Sequence, residues 1–145
     1  SKAEVLYKKD ENGKLLEPME LAYIDVPEEF YQNTIPKITV QPLVENALYH
    51  GIKNKRGKGR IVVTGRREKD KCVIRVEDNG IGMTKERLNQ VRGGLTTKIE
   101  DSNDFYGLYN VNERIRLKFG EEYGLSIDSV LQEGTCVEVW LPWES

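Results

Sequence analysis

The chain has 145 residues, 38% of them hydrophobic and 32% charged, and its 24 acidic and 22 basic residues leave a formal charge of −2. That is room for one compact domain, 1–145, with a single core. The near balance of charge leaves no polyanion footprint, which makes nucleic acid a poor default partner, and the lack of any apolar run of about 18 residues leaves nothing to span a membrane.

One histidine and two cysteines without ligand spacing give little scope for zinc chemistry, and reduced cytosolic thiols are the simple reading of Cys72 and Cys136. A chain that begins Ser1-Lys2-Ala3 reads as a fragment of something longer. The basic run Lys53, Lys55, Arg56, Lys58, Arg60 sits in a glycine-containing stretch and reads as a solvated loop.

Taken in order, residues 1–18 form a loosely assigned lead-in, of which 8–18 are turn-rich and suit a hairpin connection. Met19 to Val26 reads as a strand ending at Pro27. Gln41 to His50 reads as a helix, with Pro42 in its first turn and Gly51 just past its end. Two strands follow, Arg60–Arg67 and Lys71–Asp78, joined by Glu68-Lys69-Asp70. In the second, Cys72, Ile74 and Val76 alternate with Val73, Arg75 and Glu77. A short helix starts behind Thr84 as its N-cap, and the poorly patterned 92–106, with Gly93-Gly94 and Thr96-Thr97, reads as a mobile loop. Leu108, Val111, Ile115 and Phe119 then recur at helical spacing up to Gly120. Strands Leu125–Val130 and Thr135–Leu141 close the chain around Gln132-Glu133-Gly134. Helices mixed with antiparallel hairpins indicate an α+β, two-layer sandwich with its helices on one face.

Four features carry candidate chemistry. Asp78 lies on the apolar face of its strand, where a carboxylate is costly unless something donates hydrogen bonds to it. An adenine exocyclic amine is a suitable donor, and Gly80 and Gly82 allow backbone to approach a flat ring. Asp-Asn-Gly is equally the signature of a hairpin turn. On the first helix Leu43, Val44, Ala47 and Leu48 form the buried arc, with Asn46 and His50 together at its edge. An Asn carbonyl oxygen suits Mg²⁺, which takes its other ligands from water and phosphates, while His50 suits either a phosphate or the helix end. Gly107, with Tyr106 and Leu108, stands at the start of the strong helix, a natural anion site. Gly134-Thr135 opens the last strand and reads equally as a plain turn.

The order of these features resembles the Bergerat-fold, or GHKL, ATP-binding superfamily of DNA gyrase, heat-shock ATPases, MutL and sensor histidine kinases. The resemblance covers roughly residues 36–142, with boxes QPLVENALYHGI, DNGIGM, YGLYNVNERI and GTCVEVWLP. QPLVENA and YGLYNVNERI look most like sensor kinases of the YesM/LytS type. The resemblance implies a mixed, mostly antiparallel sheet with an ATP lid over 92–106, and Mg-ATP as ligand. Asn46 would ligate the metal, Asp78 would bind adenine, Gly80 and Gly82 would floor its site, and Met83 would pack beside it. Gly107 and Leu108 would offer amides to the phosphates, and Thr135 would support Asp78 directly or through water.

Two positions depart from the pattern. Tyr49 stands where Lys is frequent, which shifts phosphate charge onto His50, Lys98 or Arg114, and Phe105 stands where the third box usually has its first glycine. Where ATP-hydrolysing members carry a general-base Glu this chain has Pro42, which cannot activate water. That favours phosphoryl transfer to a separate acceptor. With its one histidine inside the nucleotide box, the chain needs a phosphoacceptor His on a separate dimerisation domain, from which the phosphate would pass to a response-regulator Asp. The domain itself would be cytoplasmic, and the parent membrane-attached and homodimeric. A nucleotide-binding regulatory module without kinase activity and a serine kinase of the anti-sigma-factor type are the alternatives.

Overall fold

The computed structural model describes residues 2–9, 15–23, 37–52, 55, 57–97 and 106–143. Its strands are β1 (Lys2–Lys9), β2 (Leu15–Tyr23), β3 (Gly59–Glu68), β4 (Lys71–Asp78), β5 (Gly124–Val130) and β6 (Gly134–Pro142). Its helices are α1 (Lys37–Asn46), which continues as a π-helical turn over Ala47–Ile52, α2 (Lys85–Gly94) and α3 (Tyr106–Phe119). The strands form one sheet in the order β1-β2-β3-β4-β6-β5. β2 pairs parallel with β3 and every other pairing is antiparallel. A parallel pair needs a crossover, and α1 lies within the one that joins β2 to β3.

Register puts the apolar residues on one face. Val63 pairs with Val76, Ile74 with Val139, Val76 with Val137, and Ile127 with Val137. These side chains are buried in one cluster with Leu43, Val44 and Ala47 of α1, Leu88 and Val91 of α2, and Leu108, Val111 and Ile115 of α3. Burying this much apolar surface on one side of the sheet is the main stabilising term. The mixed α+β two-layer sandwich is therefore the fold observed.

The opposite face is mostly polar. Arg66 bridges Glu68 at 2.9 Å and Glu138 at 2.8 Å. Val73 is nonetheless fully buried there. It pairs across to Arg66 and Trp140, and the Arg66 guanidinium lies 5.5 Å from the Trp140 ring centre.

Cys72 is buried in the core, while Cys136 pairs with Glu77 on the polar side. The two thiols thus sit on opposite faces of the sheet, as strand alternation requires, which rules against a disulfide between them.

The elements differ from the sequence reading at four places. Residues 2–9 and 15–18 of the expected lead-in belong to strands, and β2 ends its described span at Tyr23, with 24–27 outside the described residues. The first helix begins at Lys37, so Pro42 is an interior residue rather than a first-turn one. It leaves one carbonyl of the preceding turn without its helical N–H. The helix then widens into the π turn, which places Gly51 inside it rather than beyond its end. Finally, Arg92, Gly93 and Gly94, expected in a loop, complete α2, while 98–105 lie outside the described residues. Thr84 caps that helix as expected, its hydroxyl accepting the Arg87 N–H at 3.1 Å.

Candidate nucleotide site

Asp78 ends β4 on the inner face of the sheet and is only 6% exposed. Its Oδ1 accepts the Gly80 N–H at 2.9 Å and the Thr135 N–H at 3.3 Å. Oδ2 accepts no hydrogen bond from any described residue. Burial drives the carboxyl up to about 6, against the two amide hydrogen bonds that pull it down. This is a largely buried acceptor with one oxygen fixed and, among the described residues, the other unspent. It suits a ligand N–H rather than an anion or a carbonyl oxygen.

The chain makes room for that carboxylate by omitting side chains. A Cβ on Gly51 would lie 2.5 Å from Asp78 Oδ1, so the π turn backs directly onto the acid. A Cβ on Gly80 would fall on the Gly51 carbonyl, and one on Gly82, at φ +66°, on the Val130 carbonyl. Both glycines of DNGIGM thus serve close backbone approach. The Ile81 N–H donates to the Gly51 carbonyl at 3.0 Å, and the Gln132 N–H to the Ile81 carbonyl at 2.6 Å. The loop is thereby clamped between the π turn and the β5–β6 turn.

The hairpin-turn alternative for Asp-Asn-Gly is excluded, because the chain leads on into α2 rather than back along β4. Asn79 instead extends the β3–β4 ladder. Its N–H donates to the Arg60 carbonyl at 3.2 Å, and its Oδ1 accepts the Arg60 N–H at 2.7 Å.

Asn46 and His50 are half-buried at the edge of the arc formed by buried Leu43, Val44 and Ala47 and half-buried Leu48. The Asn46 amide makes no hydrogen bond to any described residue, leaving its carbonyl oxygen available. The His50 ring meets the exposed Tyr49 ring edge-to-face at 4.8 Å between centres. Glu45 points into solvent and accepts a hydrogen bond from Gln41 at 3.2 Å, on another side of the helix from Asn46.

Gly107 is exposed in the first turn of α3, whereas the Leu108 side chain is buried in the core, so only the Leu108 backbone is open to a ligand role. Arg114 is exposed further along that helix. Lys98 and Phe105 lie outside the described residues, as does most of the expected lid.

Thr135 meets Asp78 through its backbone N–H, not its hydroxyl. The hydroxyl instead contacts Ser129 Oγ at 2.9 Å. Ser129, which the sequence reading passed over, also accepts the Met83 N–H at 2.9 Å and contacts the Gly134 carbonyl at 3.0 Å. A serine in an exposed-looking strand edge carries no sequence signal for this. Gly51 was missed as a site residue for a similar reason, since a glycine after a helix has a simpler explanation. Asn112, also passed over, is 4% exposed. It donates to the Leu95 carbonyl and accepts the Leu125 N–H, both at 2.9 Å, tying α2 and β5 to α3.

Residues 35–145 match the family model of the histidine kinase-, DNA gyrase B-, and HSP90-like ATPases. The chain is 31% identical over 120 residues to the sensor histidine kinase BtsS of Escherichia coli K12, covering 83% of this chain and 19% of that protein. It is 36% identical over 120 residues to the sensor histidine kinase YesM of Bacillus subtilis, covering 82% of this chain and 19% of that one. It therefore spans about a fifth of these relatives. Its fold is similar to the histidine kinase domain of the blue-light activated kinase EL346 of Erythrobacter litoralis, with a TM-score of 0.54 and 17% identity over 86% of this chain and 52% of that chain. The chain belongs to this ATPase family, as a catalytic ATP-binding domain of the sensor histidine kinase kind. Among the described residues no helix is long and apolar enough to cross a membrane.

Proposed function

We propose that this domain holds Mg-ATP and presents its γ-phosphate to a histidine on a separate dimerisation domain of the same kinase. The observation that carries the reading is Asp78, a buried acid whose Oδ1 is fixed by two amides and whose Oδ2 is left for an N–H donor. Oδ2 accepts the adenine exocyclic amine, Gly80 and Gly82 let the loop that floors the ring pack onto the Gly51 and Val130 backbone, and Met83 packs at its edge. Thr135 supports this arrangement from β6.

Asn46 would hold Mg²⁺ through its side-chain oxygen, and its half-buried amide, without a partner among the described residues, fits that use. When bound, the ion neutralises charge on the phosphates. Gly107 and the Leu108 backbone supply N–H groups at the start of α3, where the helix dipole favours an anion. His50 lies within the same box as Asn46 and assists with phosphate.

Pro42 and the outward-turned Glu45 leave α1 without a general base for water. This supports transfer to an imported nucleophile by positioning and charge neutralisation rather than hydrolysis. The acceptor is a histidine of the parent protein, which we read as homodimeric and membrane-attached. The phosphate then moves to an aspartate of a response regulator.

Calorimetric titration of Mg-ATP into the wild type and Asp78→Asn tests the site. Binding should be lost in the variant, because its amide would face the adenine amine donor to donor. Equal binding by both proteins would refute the adenine assignment. Labelling of an added dimerisation domain from γ-labelled ATP tests the transfer, and absence of label from a domain that binds ATP would refute it.

A further inference from the structure

Among the described residues Ser129 Oγ has three partners, and their chemistry fixes where every proton goes. The hydroxyl can donate once and accept twice. The Gly134 carbonyl, 3.0 Å away, can only accept, so it takes the Ser129 proton. The Met83 N–H, 2.9 Å away, can only donate, so it fills one lone pair. The contact with Thr135 Oγ1 at 2.9 Å must then be a donation from Thr135 to Ser129. The Thr135 proton is thereby turned into the protein, and any other neighbour of Thr135 Oγ1 meets lone pairs only.

We infer that Ser129 is a specificity-determining positioning residue, which locks Thr135 as a hydrogen-bond acceptor and so makes the base pocket reject purines that carry an oxo group at position 6. The inference rests on the adenine site proposed above. Asp78 Oδ2 and Thr135 Oγ1 both belong to the inner face of the sheet, at the ends of neighbouring strands β4 and β6. Two acceptors there match the 6-amino group of adenine and oppose the 6-oxo oxygen of hypoxanthine or guanine. Asp78 has no proton to rotate toward an oxo group once it is ionised, so among the described residues Thr135, whose backbone meets Asp78, carries the hydroxyl that could relieve the mismatch. Ser129 prevents that relief by consuming its proton. The same hydroxyl joins the DNGIGM loop at Met83 to the β5–β6 turn at Gly134, so ring floor and base reader are held by one atom.

The test is the ratio of affinities for Mg-ATP and Mg-ITP, measured by calorimetry on the wild type, Ser129→Ala and Ser129→Thr, with thermal melts to establish that each is folded. The alanine variant frees the Thr135 hydroxyl, and its ATP-over-ITP ratio should fall roughly fivefold or more, the worth of one hydrogen bond. The threonine variant keeps the hydroxyl and should keep the ratio. A merely structural role would weaken both ligands together and leave the ratio unmoved, which would overturn the inference while the adenine site stands. A wild type that binds neither nucleotide refutes the adenine site itself. Should Ser129→Ala not fold, Thr135→Val and Thr135→Ser give the same decision. The valine must lose selectivity and the serine retain it, and equal ratios for the two overturn the inference.

Discussion

Replacing Asp78 by Asn should stabilise the nucleotide-free domain while destroying its ligand site. Burial moves this carboxyl from an ordinary 3.8 to about 6. The folded state therefore binds the proton more tightly than the unfolded chain does. Such a group adds stability below the unfolded value and loses it as pH rises through the folded one. By neutral pH the ionised carboxylate costs the fold about 3 kcal/mol, counting about 1.4 kcal/mol for each tenfold change in proton affinity. Asn has the same shape, carries no charge, and can still accept from the Gly80 and Thr135 amides through its oxygen. It should recover much of that cost, roughly 1–3 kcal/mol at pH 7.5, or a midpoint several degrees higher for a domain of this size. At pH 5 the folded wild type is largely protonated but the unfolded chain is not, so the gain should shrink to about half and vanish only below the unfolded value of 3.8. Thermal or urea unfolding of both proteins from pH 5 to pH 8 measures the difference, and taking the difference cancels every other titrating group. A variant that is less stable at pH 7.5, or whose gain does not depend on pH, would refute the claim that desolvation dominates at Asp78.

Gly51→Ala would put a methyl 2.5 Å from the Asp78 carboxylate, so ATP affinity should fall by about tenfold or more and stability by roughly 1–3 kcal/mol; calorimetry and melting that find neither change would show that the π turn yields freely. Asn112→Ala leaves the Leu95 carbonyl and Leu125 N–H without their buried partner, and urea unfolding should register a loss of roughly 2–4 kcal/mol. A loss below about 0.5 kcal/mol would mean that water replaces the side chain. Asn46→Ala should remove the gain in ADP affinity that magnesium gives the wild type, with affinity in EDTA unchanged; an undiminished magnesium effect would take Asn46 out of the metal site.

Composition, periodicity and motif order were enough to establish the sandwich, the inward row Cys72-Ile74-Val76, the helix from Thr84 and the long helix ending at Gly120. Each depends on local patterning, namely alternation, helical spacing or a cap, which adjacent residues set among themselves. The boxes likewise pointed to the nucleotide family because their residues are contiguous in the chain. What tertiary structure decided were the contacts between boxes. The widening of α1 into a π turn has no sequence signature, since the same apolar spacing serves either hydrogen-bonding pattern until Gly51 meets Asp78. Strand β1 and the first residues of β2, before the expected strand start at Met19, were obscured by a polar, turn-rich stretch, and it is the pairing of β1 with β2 and of β2 with β3 that makes them strands. Most consequentially, Thr135 reaches Asp78 through its backbone, and its hydroxyl belongs to Ser129. That assignment depends on the register of β5 against β6 and on the loop lying beside both. A hydrogen bond between residues 46 positions apart, as from Met83 to Ser129, exists only once the sheet has closed, and no local pattern in the chain records it.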